Sequence, residues 1–145
     1  MNDYRIEIYG DGACQPNPGK GGFGSLVKCS NETRVFYGKL ENTTNCQAEL
    51  KAIIEPLKNL YHLQKNKYDL YIYTDSKYVS DPFNKNWIKS WYEKDFKDIK
   101  NVKLWKSLIK LLVPHNDYNF IHIPRNSCDE HKKVDQLAKI ASTLK

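Results

Sequence analysis

The hydrophobic pattern of this chain changes period after its first forty residues, and that change limits its folds more than any other feature. "YRIEIYGDG" alternates Tyr4, Ile6 and Ile8 on one side with Arg5, Glu7, Tyr9 and Asp11 on the other. This is the pattern of a half-buried strand, expected to end near Asp11. "FGSLVKCS" and "TRVFYGKL" read as two more strands, joined by the turn "SNET". Then "ENTTNCQAELKAIIEPLKNLYHL" places Leu50, Ile53, Ile54 and Leu57 on one helical stripe, with Thr43, Thr44 and Asn45 available as caps. Pro56 lies inside the stripe. It has no N–H and clashes with the preceding turn, so a kink or an early end is expected there.

"YDLYIYTDS" returns to period two, with Leu70, Ile72 and Thr74 opposite Tyr71, Tyr73 and Asp75. Helical stretches follow in "KYVSD", "FNKNWIKSW" and "NVKLWKSLIKLLV", then a fifth strand in "DYNFIHIP". The last helix, "DEHKKVDQLAKIASTLK", carries Val134, Leu137, Ala138, Ala141 and Leu144 on one stripe. The order predicts an α/β domain with a mixed sheet flanked by helices. No repeat, low-complexity tract or linker interrupts residues 1–145, so a single domain is expected.

The chain has 23 Lys and Arg against 17 acidic residues, a net charge of +6. That favours a polyanionic partner without requiring one. No apolar run approaches the ~20 residues of a membrane span. The start, "MNDYRIEIY", has no signal-peptide profile, so the protein is expected to stay inside the cell, in the cytoplasm, nucleoid or nucleus. Cys14, Cys29, Cys46 and Cys128 form no C-x-x-C pair and no zinc-finger spacing with His, which points to reduced thiols rather than a zinc site.

Four acids stand where they can converge. Asp11 ends the first strand and Asp75 the fourth; Glu49 lies one turn into the first helix and Asp135 early in the last. If the two strands are parallel neighbours, both aspartates emerge at one edge of the sheet. Converging carboxylates repel unless protonated or bridged by cations. A hard cation with oxygen ligands resolves this, and Mg2+ keeps waters for a substrate. Two such ions about 4 Å apart would clamp a phosphodiester displacement.

The turn after Asp11, "DGACQPNPGKGGFG", has two readings: a hairpin loop with a solvated aspartate, or a backbone that must pass close to a ligand. The segments "DGACQPNPGKGGFG", "TTNCQAEL", "YTDSKYV", "WIKSW", "NVKLW" and "VDQLA" resemble, in order and spacing, the motifs of type 1 ribonuclease H over almost the whole chain. The resemblance implies the ribonuclease H fold: a five-stranded mixed sheet, three antiparallel strands then parallel ones. It also implies metal-dependent endonucleolytic hydrolysis of the RNA strand of RNA–DNA hybrids, leaving 5′-phosphate and 3′-hydroxyl ends. It places two Mg2+ ions, with Mn2+ as a stand-in, on Asp11, Glu49, Asp75 and Asp135. In the family the first turn follows the minor groove of the hybrid. Asn17 and Glu49 would meet the 2′-hydroxyls that mark RNA, helped by the backbone around Cys14.

Other positions carry two readings each. Thr44 and Asn101 match the pair that binds a DNA-strand phosphate in the family, and each is also placed to begin a helix. Tyr78 and Trp87 match aromatics that flank the DNA strand, against simple core packing; Trp91 and Trp105 read as core. Lys94, Lys97 and Lys100, with Lys85, Lys89, Lys103 and Lys106, resemble a shortened form of the family's basic protrusion, interleaved with aromatics. Their alternative is a solvated face, given Glu93, Asp95 and Asp98. Cys46 and Gln47 stand where members often have Asn and Arg. His62 and His115 are expected in exposed loops, and His122 in a structural place on a strand.

The chain departs from the family before Asp135. Many members have a loop histidine there; this chain reads "IPRNSCDEHKKVD". Arg125 resembles the Arg of "VPR"-type loops in members lacking that histidine, and can hold phosphate oxygens without acting as a base. His131 is the alternative proton carrier, four residues before Asp135. Two other functions compete with hybrid cleavage: a nucleic-acid-binding module with lost activity, and another nuclease of the same fold. Retention of all four acids argues against the first, the glycine-rich turn and compact length against the second. The oligomeric expectation is a monomer.

Overall fold

The computed structural model of the chain describes residues 5–29, 32–63, 68–115 and 117–144; Tyr4, which the alternation assigns to the first strand, lies outside them. The elements are β1 (Arg5–Cys14), β2 (Gly19–Cys29), β3 (Glu32–Thr43), α1 (Asn45–Leu63), β4 (Asp69–Thr74), α2 (Lys77–Asn84), α3 (Trp87–Glu93), α4 (Val102–Leu112), β5 (Asp117–His122) and α5 (Asp129–Ser142). They form a five-stranded mixed sheet in the order β3-β2-β1-β4-β5. β1, β2 and β3 pair antiparallel, while β4 runs parallel to β1, and β5 to β4. This is the predicted α/β fold.

Period-two alternation sorts side chains to the two faces of the sheet. Ile6 and Ile8 of β1 join Leu50, Ile53 and Leu57 of α1 and Trp105, Leu108 and Leu112 of α4 in the main core. Tyr9 packs on the opposite face with Leu26 and with Val134 of α5, and its ring stacks on Tyr73 at 4.5 Å. Helix α5 lies close on β2 because Gly24 has no side chain. A Cβ there would stand 2.7 Å from the Val134 carbonyl oxygen.

β1 does not end near Asp11 as expected. It continues to Cys14, paired with β2 as far as Gly21. The glycines read as turn residues are strand residues, Gly12 in β1 and Gly19, Gly21, Gly22 and Gly24 in β2, and only residues 15–18 turn. The ladder with β4 stops earlier, at Tyr9 and Tyr73. Two residues further along each strand stand Asp11 and Asp75, so parallel pairing brings these acids level.

Pro56 does not end α1, which continues to Leu63. The carbonyl that a proline at 56 deprives of an amide partner belongs to Ala52. That oxygen accepts a hydrogen bond from the buried Ser25 hydroxyl of β2 instead. His115, expected in an exposed loop, is buried beside Tyr68: its Nδ1 accepts the Tyr68 amide at 3.2 Å. Burial pushes the His115 pKa below its ordinary value. His62 belongs to the last turn of α1 rather than a loop, with its side chain outside the described residues. Trp105 is wholly buried with Trp91 edge-on against it at 5.1 Å, in the core as expected. The four cysteines are free thiols. Among the described residues no helix is long and apolar enough to cross a membrane.

Candidate active site and nucleic-acid groove

The two level aspartates begin the site, Asp11 within β1 and Asp75 just past β4. Asp11 is 5% exposed and its Oδ1 accepts the Gly12 amide at 2.9 Å. Asp75 follows β4 at a bend fixed by the Thr74 hydroxyl, which accepts the Ser76 amide at 3.0 Å. Glu49 arrives from α1, whose first turns press on β1 at Gly12. A Cβ at residue 12 would stand 2.5 Å from the Glu49 nitrogen, so only glycine allows this approach. Asp135, 6% exposed, comes from α5 on the other face. All four expected acids line one cleft of about 330 Å3, together with Arg125 and Lys139.

The electrostatics follow from that crowding. Burial, then the neighbouring Asp75 and a hydrogen bond with Asp135, push the Asp11 pKa up to about 8. Burial also raises Glu49, with Asp75 adding to it and a hydrogen bond from Ser76 and the charge of Arg125 opposing it. Burial works to raise Asp135 as well, but a hydrogen bond from Lys139, one from Asp11, and Arg125 outweigh it, and its pKa falls. Lys139 Nζ is 3.0 Å from Asp135 Oδ2, and an Arg125 guanidinium nitrogen is 3.3 Å from Oδ1. Two cations thus hold one carboxylate, while crowding favours the protonated form of its neighbour Asp11.

The two candidates for the loop-histidine role separate. Arg125 is 62% exposed at the cleft rim. His131 is fully buried behind the cleft, so it cannot meet a substrate directly. Its Nδ1 accepts the Asn126 amide at 3.0 Å, and its Nε2 lies 3.6 Å from Asp75 Oδ2. Burial lowers the His131 pKa, but Asp75, Asp11 and Asp135 together raise it above its usual value. The exposed His122 ring contacts the Asp75 carbonyl oxygen through Nε2 at 3.1 Å, the structural place expected of it.

A second hollow of about 600 Å3 collects Asn17, Thr44, Tyr78, Lys100 and Asn101, five of the predicted binding residues, with Cys46 and Gln47. Thr44 caps α1, its Oγ1 accepting the Gln47 amide at 3.1 Å. Asn17 Oδ1 accepts the Asn45 amide at 3.1 Å, tying the first turn to the helix start. Gln47 Nε2 donates to Asn101 Oδ1 at 3.0 Å, and Asn101 Nδ2 donates to the Tyr78 hydroxyl at 2.9 Å. Thr44 is thus both the helix cap and part of the hollow. Trp87 lines a neighbouring apolar hollow with Tyr78, Trp91, Lys100 and Trp105. Lys94 and Lys97 are exposed on the irregular segment before α4 and line neither hollow.

Sequence reasoning missed Lys139, and it noted Gln47 only as a departure from the family. Lys139 had a usable signal, since it follows Asp135 by four residues on a helix, the spacing of an ion pair. The contact of Gln47 with Asn101 had none, because the two are remote in sequence and it depends on how α1 and α4 pack.

The ribonuclease H family model matches residues 3–143. The ribonuclease H of Sulfurovum sp. is 36% identical over 135 residues, covering 93% of this chain and 88% of that protein. That of Caldicellulosiruptor saccharolyticus is 38% identical over 140 residues, covering 92% and 93%. Among solved structures, LC9-RNase H1, a type 1 RNase H with the type 2 active-site motif, aligns with a TM-score of 0.82 at 21% identity, over 98% of this chain and 74% of that one. LC11-RNase H1 in complex with an RNA/DNA hybrid aligns with a TM-score of 0.69 at 22% identity, over 94% and 95%. At these identities the structures speak for the fold alone.

Proposed function

The chain belongs to the ribonuclease H family, and on that premise we propose that it is an endonuclease of RNA–DNA hybrids. It hydrolyses the RNA strand and leaves 5′-phosphate and 3′-hydroxyl ends, with two Mg2+ ions held by Asp11, Glu49, Asp75 and Asp135; Mn2+ can stand in. The observation that carries this reading is the convergence of Asp11, Glu49, Asp75 and Asp135 in one cleft, where burial and neighbouring Asp75 and Asp135 raise the Asp11 pKa. A cation placed beside such a group favours its ionised form. The four carboxylates are oxygen donors of the kind hard cations select, and they share one cleft. When bound, the ions supply an activated water and charge stabilisation at the leaving 3′ oxygen.

The chain's own residues hold and orient. Asp11 and Asp75 take their positions from the β1–β4 ladder, which leaves little main-chain freedom. Lys139 and Arg125 hold Asp135 ionised. Arg125 has N–H groups beyond those facing Asp135, and at the rim these hold a phosphate oxygen of the scissile group. Asn17 and Glu49 meet the 2′-hydroxyls of the RNA strand. Thr44 and Asn101 take a DNA-strand phosphate, Tyr78 and Trp87 lie against that strand's sugars and bases, and Lys94, Lys97 and Lys100 add charge along it. Residues 1–145 act as a single domain, as a monomer, inside the cell.

The test is incubation with Mg2+ and matched RNA–DNA, RNA–RNA and DNA–DNA duplexes. The expected result is cleavage of the RNA strand of the hybrid alone. Hybrid binding without cleavage would favour a binding module instead. Cleavage of DNA would favour a different nuclease on this fold.

A further inference from the structure

We infer that His131 is a positioning residue for Asp75, donating through Nε2 in a tautomer that the main chain imposes, and is not a metal ligand. The inference rests on the metal-dependent reading of the site. His131 Nε2 and carboxylate oxygens of Asp11 and Asp75 all lie within 4.8 Å of one another, close enough for one cation to touch all three. The other ring nitrogen decides against that. Nδ1 accepts the Asn126 amide at 3.0 Å, so it presents a lone pair and carries no proton. A neutral imidazole has one N–H, which is therefore on Nε2. A protonated nitrogen has no lone pair for a cation, whereas its N–H suits a carboxylate.

The surroundings of Nε2 point the same way. It is wholly buried and has no hydrogen-bond partner within ordinary distance. A buried donor left unpaired is destabilising, so such an atom calls for an acceptor. Asp75 Oδ2, at 3.6 Å, is slightly too far for a hydrogen bond and close enough to become one by a small shift. Catalytic contacts that are long in the free protein tighten when the site is loaded. Thr74 and His122 fix the main chain around Asp75, and His131 is the side chain that faces its carboxylate with a proton to give. Ligating carboxylates are themselves hydrogen-bonded at metal sites, and those bonds set the oxygen that meets the ion. The same arrangement keeps the ligand set purely oxygen, which favours Mg2+ over transition metals that prefer imidazole.

The tautomer is read directly from long-range 15N–1H correlation spectra of the metal-free protein. The expected result is His131 with its proton on Nε2; a proton on Nδ1 overturns the inference. Mg2+ affinity by calorimetry then tests the consequence in His131→Leu and His131→Gln, with circular dichroism as the check on folding. The Gln side chain places an N–H donor near the Nε2 position. The expected result is about a 10–100-fold loss of affinity for His131→Leu, with His131→Gln staying near wild type. A folded His131→Leu that binds Mg2+ like wild type overturns the positioning role. A wild type that binds no Mg2+ defeats the metal reading of the site, and the tautomer spectrum alone then decides the inference.

Discussion

The Ser25 hydroxyl of β2 donates to the carbonyl of Ala52, the oxygen that Pro56 leaves without an intrahelical amide. Helix α1 runs unbroken past its proline because the sheet beneath supplies the missing donor. Ser25→Ala should therefore cost about 1–3 kcal/mol, the penalty of an unsatisfied buried carbonyl. In a Pro56→Ala background the amide of residue 56 can take over, and the same Ser25 substitution should cost well under ~1 kcal/mol. Urea unfolding of the four proteins in the cycle measures the difference. Equal costs in both backgrounds would mean that the hydroxyl does not support the helix.

Ser25 and Pro56 also mark where sequence reading stops. The element order, the sheet and the meeting of Asp11 with Asp75 were legible because they depend on periodicity and on β1 and β4 being parallel neighbours. The fate of Pro56 was not, because the compensating donor lies on another element. His115 was misread for a similar reason: a polar ring between elements suggests a loop, and only packing shows that Tyr68 covers it and fills its acceptor nitrogen. The length of β1 was obscured by glycines that resemble a turn but serve close helix contact. For the site, the carboxylates were visible as residue types at element ends. The division of labour between Arg125 and His131 was not, because it depends on one being at the rim and the other wholly buried.

Asp75→Asn should abolish Mg2+-dependent cleavage of the hybrid while leaving the circular dichroism spectrum and hybrid binding intact. An amide is a poor ligand for a hard cation. The loss should exceed the ~10–100-fold typical of removing an outer hydrogen-bonding partner at a metal site. Retained turnover in a folded variant would remove Asp75 from the ligand set.

The raised pKa of Asp11 sets a pH dependence with a definite sign. The folded value is about 8 and the ordinary value of an aspartate 3.8, so between them the folded state binds more protons. Stability from this group is fully present below about pH 4 and is lost as pH rises through about 8. Asp11→Asn removes the contribution. In metal-free buffer the variant should gain on wild type as pH rises from 5 to 8, by at most about 1.4 kcal/mol per pH unit. Denaturant midpoints at four pH values give the difference curve. A gap that narrows with pH would show that Asp11 ionises easily in the fold.

Lys100 lines both hollows of the groove, whereas Lys94 and Lys97 line neither. Each phosphate contact contributes roughly 0.9 to the slope of log affinity against log salt on a duplex. Lys100→Gln alone should flatten the slope by about that amount. Adding Lys94→Gln and Lys97→Gln should flatten it further, with turnover on saturating hybrid changed less than affinity. Binding titrations across a salt series provide the slopes. If the triple variant keeps the wild-type slope, this face is solvated surface.

Arg125 faces two partners at once: Asp135 at 3.3 Å on one side and the open cleft on the other. An exposed guanidinium so placed can hold a phosphate oxygen as charge builds on it, and it stays protonated throughout. Arg125→Ala should lower turnover by roughly ten- to a thousandfold, approaching the effect of losing one transition-state donor. Lys139 remains to hold Asp135, so Mg2+ affinity should change much less than turnover. Added Mg2+ should therefore not rescue Arg125→Ala, whereas it should restore much of the activity of His131→Leu, whose deficit is in holding Asp75. Steady-state rates of both variants across a Mg2+ titration separate the two roles. If saturating Mg2+ rescues Arg125→Ala, then Arg125 acts through Asp135 and the metal site; if His131→Leu stays crippled at saturation, its deficit is not in holding the metal through Asp75.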